Sequence, residues 1–515
     1  MNILLISVQR NLDIIGLKGL HHLLLARGWQ SFLLYLPRFD PFSPGDNAAL
    51  AGFVRQLNPA FIGISLMAID YSVAKHVSRA LKQVFPEIPL IWGGIHATTA
   101  PEMCLEDADY VCIGEGEQTV LDLAEAAQQG RTFRDVKNLC FLENGALRRN
   151  PLYPLVMDLD ELPISRQIPE NSFVLLKGEV HPLVSGHLSR FRRYRGGVYK
   201  ILSSRGCPYA CAYCVNNFLK TLYARNPIRR RSIGHVMHEL ETAMKEGPRL
   251  TYVDITDDCF LACTPEYLES FCREYKTRIN LPFIVKGTPR YFTPEKMDLL
   301  VDAGLAWANI GLQSGSDRIC KEVYLRQTSA ADFLEAARLI HRYPVAAYYD
   351  VIVDNFFESL EDELKTVETL TETPRPFYLE MFSLTLYHGT QLYERAKNEC
   401  PDRIKPAVDR DYYFREKRDA NVLIEIAGLL HRPLMRRLIA RFRRAPNAPT
   451  SRLALRLAAF YAKTFLRPIA YFRLIRRSLQ GSFWRACAAM PLYLSEGAIR
   501  YLKTKGWVKA PAGKR

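Results

Sequence analysis

The sequence predicts an α/β protein in three parts. Apolar runs typical of buried strands alternate with helical stretches over residues 1–150, which indicates a doubly wound parallel sheet. Strand and helix signals repeat over residues 196–400, which indicates a partial or complete parallel βα barrel. Residues 401–515 are typical of basic helices. The chain of 515 residues, 48% hydrophobic and 24% charged, is globular in composition and too long for one ordinary core.

The first part has five strand signals and two clear helical ones, over residues 16–28 and 71–85. The strand signals are NILLISV (2–8), SFLLYLP (31–37), FIGISLM (61–67), PLIWGGIH (89–96) and YVCIGEGE (110–117). Such sheets bind ligands at the carboxyl ends of their strands. The glycines there, in GGIH and GEGE, allow a ligand to approach the backbone closely, although ordinary tight turns would also use them.

Residues 151–195 are predicted to be a linker. The segment is rich in proline and acidic residues at its start, and SRFRRYRGG (189–197) is basic and ends in glycine. Neither stretch has a sustained periodicity that would indicate a helix or a strand.

Three cysteines follow the first strand signal of the barrel, VYKILSSRG (198–206). Cys207, Cys211 and Cys214 form C-x3-C-x2-C, and a zinc site, a disulfide or chance are the alternatives. Structural zinc needs four protein ligands, and the one other close pair is the C-x3-C of Cys259 and Cys263. Three thiolates on one loop suit a 4Fe-4S cluster held at three corners, with the fourth iron open.

Four further strand signals complete the predicted barrel. They are LTYVDITDDCF (250–260), LPFIVKGTPR (281–290), WANIGLQSGSD (307–317) and AAYYDVIVDN (346–355), each followed by a helical stretch. Ligands of such barrels gather at the carboxyl ends of the strands. We therefore expect the polar residues of these ends to lie around one site.

The cysteine motif, with Tyr213 directly before its last cysteine, resembles the signature of the radical S-adenosylmethionine (SAM) superfamily. The GGIH and GEGE segments resemble the cobalamin-binding domain that precedes many of these enzymes. The resemblance covers about residues 1–400 and ends near SLTLYHGTQLYERA (383–396). It implies a Rossmann-like cobalamin domain over residues 1–150 and a TIM-type radical SAM barrel over residues 196–400.

The resemblance also implies roles for single residues. The cluster ligands are Cys207, Cys211 and Cys214, the SAM contacts are Tyr213, Asp257, Asp258, Gln313 and Ser314, and the cobalamin contacts are Gly93, Gly94, His96, Gly114, Glu115 and Gly116. A helix cap or a structural hydrogen bond is an equal alternative for Asp258 and Ser314. DNFFES (354–359) departs from the Gly-x-Pro-Gly-Glu of similar proteins, so no role is carried over there.

Mutase-type cobalamin domains carry Asp-x-His-x-x-Gly after the first strand. The corresponding stretch here, NLDIIGLKGL (11–20), contains no histidine. By this comparison cobalt is expected to have no protein imidazole below it.

The function implied is methylation of an unactivated carbon, through methylcobalamin and a 5′-deoxyadenosyl radical, with flavodoxin or ferredoxin as electron donor. Oxidative cyclisation or rearrangement without net methylation, as in anaerobic tetrapyrrole cyclases, is the alternative. A tRNA methylthiotransferase is disfavoured, because the first 100 residues lack the extra cysteines of that class. A non-catalytic cobalamin sensor is disfavoured by the intact cluster motif. The sequence does not identify the substrate.

The basic charge is concentrated at the carboxyl end. Residues 421–515 contain 20 Lys and Arg and two acidic residues, a net charge of +18, whereas the whole chain carries +15. A solvated helical cap, an anionic membrane surface and nucleic acid are the three explanations, and nucleic acid is the weakest because no RNA-binding module is recognisable. The membrane interpretation implies a lipid-like substrate as well as ordinary small molecules.

The scattered cysteines and an N-terminus unlike a signal peptide predict a cytoplasmic protein, with peripheral contact to the inner face of the membrane through these helices. No apolar run is long enough to span a bilayer.

Overall fold

A computed structural model describes residues 1–192, 196–408 and 410–479. The chain forms two compact units. The first contains Met1–Lys200, Val215–Leu250 and Leu386–Arg410, and the second contains Ile201–Cys214, Thr251–Thr385 and Asp411–Arg515.

The strands are β1 Asn2–Ser7, β2 Gln30–Tyr35, β3 Pro59–Ser65, β4 Leu90–Gly93, β5 Tyr110–Cys112, β6 Leu139–Glu143, β7 Ala146–Arg149, β8 Ser172–Leu176, β9 Glu179–Pro182, β10 Val198–Ile201, β11 Ser204–Arg205, β12 Arg229–Arg230, β13 Tyr252–Ile255, β14 Phe283–Gly287, β15 Leu305–Gln313, β16 Ala346–Val353 and β17 Phe377–Ser383. The helices are α1 Ile15–Ala26, α2 Pro44–Leu57, α3 Tyr71–Val84, α4 Ile95–Thr99, α5 Pro101–Cys104, α6 Glu117–Gln128, α7 Ser185–Phe191, α8 Val215–Leu222, α9 Ile233–Lys245, α10 Pro265–Arg278, α11 Pro294–Asp302, α12 Ala330–His341, α13 Leu360–Glu372, α14 Gln391–Glu399, α15 Asp419–Ala427, α16 Arg432–Arg444, α17 Pro449–Tyr461 and α18 Arg467–Ser478.

The first unit is built on a nine-stranded sheet with the order β7-β6-β5-β4-β3-β1-β2-β8-β9. The chain runs outward from β1 to β2, then returns to the other side of β1 for β3, β4 and β5, all in parallel. This reversal confirms the predicted doubly wound sheet. It also places the carboxyl ends of β3, β4 and β5, which carry the two glycine segments, at one edge of the sheet.

The predicted linker, residues 151–195, contains two strands in its second half. β8 pairs in parallel with β2, and β9 returns antiparallel to β8. Lys177 and Gly178 join the two strands, and both have positive φ, 54° and 78°. That backbone is typical of a two-residue hairpin turn, so the Lys-Gly pair between apolar stretches was a local signal for these strands.

The six-stranded sheet has the order β10-β13-β14-β15-β16-β17, and its strands β13 to β17 lie in the second unit. Strands β13 to β17 pair in parallel in the order of the sequence. Helices α10 to α13 connect them, as expected for repeated βα units. The sheet is therefore the predicted parallel arrangement, with six strands rather than the eight of a complete barrel.

The predicted boundary of the barrel domain differs from the compact units. Val215–Leu250 and Leu386–Arg410, both inside the predicted 196–400, group with the first unit. The division follows tertiary contacts, which sequence periodicity does not report.

Helices α15 to α18 are helical as predicted, and their basic residues are partly neutralised within the unit. Arg443 pairs with Glu361 and Glu368 of α13, at 2.8 and 2.9 Å. Arg436 pairs with Glu372 at the end of α13, at 2.8 Å. Part of the basic charge therefore serves helix docking, which supports the helical-cap explanation for α16. Within the described residues, no helix has the length and apolar character needed to cross a membrane.

Candidate functional site

The loop of the three cysteines is held by backbone hydrogen bonds of the second unit. Ala212 N donates to the carbonyl of Tyr324 at 2.9 Å, and Cys214 N donates to the carbonyl of Cys211 at 3.0 Å. The hydroxyl of Tyr324 accepts a hydrogen bond from Asn355 Nδ2 at 3.0 Å. The loop therefore has a defined conformation that leaves its cysteines partly exposed.

A buried arginine lies beside this loop. Arg326 is 5% exposed, and its guanidinium donates to Tyr213 Oη at 3.5 Å and to the carbonyl of Gly311 at 2.6 Å. The Tyr213 ring also packs edge-on against Tyr324, with ring centroids 5.1 Å apart. Tyr213, predicted to contact SAM, thus connects the cysteine loop to the end of β15. The fixed cation of Arg326 favours anionic ligands such as thiolates nearby.

Burial raises the pKa of the Cys207 thiol to about 12, and the neighbouring Cys259, Asp258 and Cys214 act in the same direction. Among the described residues, no three His, Cys, Asp or Glu side chains surround a point where one metal ion could bind. A cluster held at three corners needs no such point, because each thiolate binds a different iron. Three partly exposed cysteines on one fixed loop beside a buried cation fit that group.

The neighbouring acids after β13 have opposite environments. Asp257 is fully buried, and its carboxylate accepts hydrogen bonds from Ser203 N at 2.6 Å, Ser203 Oγ at 2.5 Å and Ser204 Oγ at 2.6 Å. The carboxylate therefore holds the end of the β10 segment and is not directed at a ligand. Asp258 is exposed. Of the two predicted SAM contacts, the structure leaves Asp258 accessible.

The turn after β15 is locked onto α13. A Cβ atom at Gly315 would lie 2.6 Å from the Lys365 carbonyl oxygen, so only glycine fits against that helix. Ser314 Oγ donates to Glu358 Oε1 at 2.8 Å, which is the structural hydrogen bond that the sequence left as an alternative. Gln313 has a positive φ of 67°, and its Oε1 is buried without a hydrogen-bond partner among the described residues. Gln313 is therefore the residue of this turn with an atom available to a ligand.

In the first unit, one threonine joins the two glycine segments. Thr98 Oγ1 donates to the carbonyl of Gly94 at 2.9 Å and accepts from Gly114 N at 3.0 Å. Gly94 has a φ of 91°, and a Cβ atom there would lie 2.8 Å from the Leu66 carbonyl oxygen. Gly93 meets only Cys112 Cβ, at 3.8 Å, and therefore has more room. The glycine segments come together as predicted. Position 94 requires glycine because a Cβ atom there would collide with Leu66 of the protein itself.

Side chains of the protein itself fill the space beside the GEGE segment. A Cβ atom at Gly114 would lie 1.9 Å from Tyr223 Oη, which accepts a hydrogen bond from Glu115 N at 3.0 Å. The Glu115 carboxylate accepts two hydrogen bonds from Arg229, at 2.9 and 2.8 Å. Glu115 and Gly114 thus hold segments of the protein together, whereas Gly116 begins α6 and packs near Leu20.

His96, predicted to contact cobalamin, is 3% exposed and lies on the short helix α4. Its ring packs against His388, with centroids 6.4 Å apart. His96 Nε2 and His388 Nδ1 are both buried without a hydrogen-bond partner among the described residues. Burial, followed by the neighbouring His388, lowers the pKa of His96 to about 4, so the ring is neutral at pH 7.

Two unpartnered ring nitrogens near the carboxyl edge of a doubly wound sheet fit the many amide groups of cobalamin.

The histidines that follow the first strand form hydrogen bonds within the protein. His21 bonds to Ser31 Oγ and to the Glu170 carbonyl oxygen, each at 2.8 Å, and His22 Nε2 accepts from Arg166 N at 3.1 Å.

Two segments of the chain match known domain families. Residues 1–124 match the B12 binding domain, and residues 201–370 match the radical SAM superfamily. The chain is therefore a radical SAM protein with an N-terminal B12-binding domain. Its cofactors are cobalamin and a [4Fe-4S] cluster with SAM, which makes it a cobalamin-dependent radical SAM enzyme.

The relatives divide between two reactions. An uncharacterized methyltransferase of Pyrococcus horikoshii is 23% identical over 352 residues, which span 67% of this chain and 71% of that protein. The anaerobic magnesium-protoporphyrin IX monomethyl ester cyclase of Cereibacter sphaeroides is 26% identical over 342 residues, 63% of this chain and 50% of the cyclase. The chain therefore spans half the length of that cyclase.

A solved structure shares the fold. The radical SAM methyltransferase TsrM from Kitasatospora setae, with cobalamin and [4Fe-4S] cluster bound, superposes with a TM-score of 0.63 at 19% identity, over 79% of each chain. The same enzyme with tryptophan substrate and a SAM analog bound gives the same TM-score. The likeness shows a shared fold.

Several residues of these sites carried no signal in the sequence. They are Tyr223, Arg229, Arg326 and His388, which lie in unremarkable local contexts, far along the chain from the Glu115, Tyr213 and His96 that they contact. The identity of such partners depends on long-range contacts, for which a single sequence has no local pattern.

Proposed function

We propose that the chain methylates an unactivated carbon of a small organic substrate. The support is the combination of a B12-binding domain and a radical SAM domain with relatives named as methyltransferases. When bound, cobalamin supplies methyl-group transfer, and the cluster with SAM supplies hydrogen abstraction from carbon.

The residues of the chain have the following proposed roles. Cys207, Cys211 and Cys214 hold the cluster, and Arg326 positions their loop through Tyr213. Asp258 and Gln313 contact SAM, because one is exposed and the other has an unpartnered amide oxygen. Asp257 and Ser314 are positioning residues that act through hydrogen bonds within the protein.

For cobalamin we propose a site at the Gly93-Gly94 and Gly114–Gly116 segments, with His96 and His388 as hydrogen-bonding groups toward the amides of the corrin. Gly93 provides a close approach to the backbone, since the space beside it is open. Gly94, Gly114 and Glu115 keep these segments in place through Thr98, Tyr223 and Arg229.

Oxidative cyclisation remains the second candidate, and the similarity to the magnesium-protoporphyrin cyclase favours it. The two reactions differ in what they consume. A methyl transfer that uses one SAM as methyl donor and another as radical source yields S-adenosylhomocysteine and 5′-deoxyadenosine, whereas cyclisation yields no S-adenosylhomocysteine.

The experiment is an anaerobic turnover of the full chain, reconstituted with cluster and cobalamin, with SAM carrying a deuterated methyl group and a metabolite extract of its host. We expect both SAM-derived products, together with one metabolite that gains the deuterated methyl group in mass spectrometry. The triple variant of the three cysteines is the control. Formation of 5′-deoxyadenosine without S-adenosylhomocysteine or deuterium transfer would replace methylation with the cyclase reaction.

A peripheral membrane location is proposed from an exposed apolar stripe on α17, α18 and the π-helical segment Ala462–Leu466 between them. Its members recur at helical spacing and are each at least half exposed: Leu453, Leu457, Phe460, Phe465 and Ile469. Arg456 and Arg473 are exposed and have no ion-pair partner among the described residues. An apolar stripe flanked by unpaired arginines is typical of helices that lie on anionic membranes. Flavodoxin or ferredoxin remains the proposed electron donor.

A further inference from the structure

One face of the sheet in the second unit is polar and aromatic, whereas the opposite face is apolar. In β16, Tyr348 and Asp350 are half-buried, whereas Tyr349 and Val351 between them are fully buried. Side chains alternate between the two faces of a strand, so Tyr348 and Asp350 share the face that is not packed into the apolar core.

The register brings like charges together on this face. Asp350 of β16 lies directly opposite Glu380 of β17, and Tyr348 lies opposite Tyr378. Both tyrosine hydroxyls donate to Glu380 Oε2, at 3.0 and 3.3 Å. Glu380 is only 8% exposed. Like charges in directly opposite positions destabilise a sheet, so this arrangement requires a reason other than stability of the fold.

One carboxylate oxygen of Asp350 lacks a hydrogen-bond partner among the described residues. Its Oδ1 is sealed from solvent and makes no hydrogen bond to any described residue. The ammonium of Lys286, on the same face, lies 3.9 Å from Asp254. A buried carboxylate oxygen without a partner is costly unless a ligand supplies a donor.

Aromatic rings surround the two carboxyl groups. The Tyr348 and Tyr378 rings meet edge-on, with centroids 4.9 Å apart. Phe382, the next residue on this face of β17, packs against Tyr412 and Tyr413 at 5.7 and 5.5 Å. Aromatic faces and carboxylates together form the usual site for a substituted ammonium group.

The ionisation of Asp350 lies in the physiological range. Burial, and to a smaller extent Glu380, raise the pKa of Asp350 to about 7, against the hydrogen bond from Asn309 and the charges of Lys286 and Arg326. The titratable or charged groups that face Asp350 from neighbouring elements are Asp254, Lys286, Arg326, Tyr348, Tyr378 and Glu380. A cation placed beside the pair would favour the ionised form of Asp350.

We propose that Asp350 and Glu380 bind a positively charged nitrogen of the substrate, so that the enzyme acts on an amine-bearing molecule with an apolar or aromatic body. The inference rests on the proposed function, because it places the substrate on the polar and aromatic face of the radical SAM sheet. SAM also carries an ammonium and a sulfonium group, so it is the other source of the same charge.

The probes are phenethylamine and its neutral counterpart 2-phenylethanol, bound to the full chain reconstituted with its cluster and measured by saturation-transfer NMR. We expect the amine to bind at least about tenfold more tightly than the alcohol. Asp350→Asn and Glu380→Gln should each remove most of this preference and leave alcohol binding unchanged. Asp302→Asn, an exposed acid at the end of α11, is the matched control and should bind both probes as the wild type does.

Amine binding by the wild type should strengthen from pH 6 to pH 8 and become independent of pH in Asp350→Asn. Equal binding of amine and alcohol by the wild type overturns the proposal, and this comparison does not depend on the folding of any variant. Labelled SAM, measured by equilibrium dialysis, should bind both variants as it binds the wild type. Loss of SAM binding in parallel with amine binding would assign the acids to SAM and overturn the proposal.

The two proposals fail separately. A neutral methylated product in the turnover experiment would refute the amine site and leave methyl transfer intact. Selective amine binding without methyl transfer would refute the methylation and leave the amine site intact.

Discussion

The contrast between Asp257 and Asp258 leads to the most direct test of the site. The two acids are adjacent in the sequence, but Asp257 accepts three hydrogen bonds from Ser203 and Ser204 whereas Asp258 is exposed. Asp257→Ala leaves three donors without their acceptor. We therefore expect this substitution to loosen the segment before the cysteines, and Asp258→Asn to affect SAM binding alone.

The magnitude follows from the three hydrogen bonds. A hydrogen bond from a backbone N–H to a buried charge contributes about 1.5–3 kcal/mol, and the N–H of Ser203 cannot rotate to another acceptor. The two hydroxyls can rotate, so each adds about 1 kcal/mol. The sum is about 3.5–5 kcal/mol, which corresponds to a factor of roughly 350 to 5,000 in local opening.

The assay is amide hydrogen exchange followed by mass spectrometry, on peptides that cover residues 198–206. Exchange there should accelerate by about two and a half to three and a half orders of magnitude in Asp257→Ala. Asp258→Asn should exchange as the wild type does, because exposed substitutions usually change stability by no more than about 0.5 kcal/mol. Equilibrium dialysis should show weaker SAM binding for Asp258→Asn. Wild-type exchange in Asp257→Ala, with weakened SAM binding, would refute the assignment of Asp257 to structure.

Replacement of Cys207, Cys211 and Cys214 with alanine should abolish iron–sulfur absorption and SAM cleavage, whereas replacement of Cys259 and Cys263 should preserve both; a triple variant with about four irons would contradict the cluster assignment. The Co(II) form of bound cobalamin should show no nitrogen hyperfine splitting in electron paramagnetic resonance, and a splitting that disappears in His96→Gln would instead make that residue a cobalt ligand. Burial would raise the pKa of Glu425, but Arg467 and Lys463 outweigh it and depress the pKa from 4.5 to about 2. This depressed pKa contributes up to about 3 kcal/mol of stability, present above pH 4.5 and lost as the pH falls towards 2. Glu425→Gln should accordingly lower the Tm at pH 7 and approach the wild type near pH 2, and an equal difference at both pH values would contradict the ion pairs. Binding to anionic vesicles should weaken as the Debye length falls from about 30 Å at 0.01 M salt to about 8 Å at physiological salt, with a salt-resistant remainder from apolar insertion. A triple serine variant at Leu457, Phe460 and Phe465 should lose that remainder, unlike one at the exposed Phe42, Leu142 and Met157, and no vesicle binding at low salt would refute the membrane location.

Many strands and helices of the two sheets were predictable because their signals are local. β1, α1, β3 and α3 lie within a few residues of the predicted segments, since buried strands and amphipathic helices have periodic apolar residues. The hairpin of β8 and β9 was missed, because short strands at the edge of a sheet lack a long periodic pattern.

The glycine segments show how far a local motif determines a site. Their place at strand ends was predictable, and Thr98 does bring Gly94 and Gly114 together. The reason for each glycine was not predictable, because Gly94 avoids Leu66 and Gly114 avoids Tyr223, both distant in the sequence. A glycine in the sequence indicates that the space beside the backbone is limited. Only the fold decides whether a ligand or the protein itself occupies that space.

The sequence by itself determined the class of chemistry, because three thiols within eight residues lie on one loop in any fold that the flanking strand and helix allow. Only the tertiary structure decided which of two adjacent aspartates is buried, which arginine binds Glu115 and which acids face each other across β16 and β17. These outcomes depend on strand register and on contacts between residues far apart in the chain. A shift of one residue in register would turn Asp350 to the opposite face of the sheet, and no local pattern records that choice.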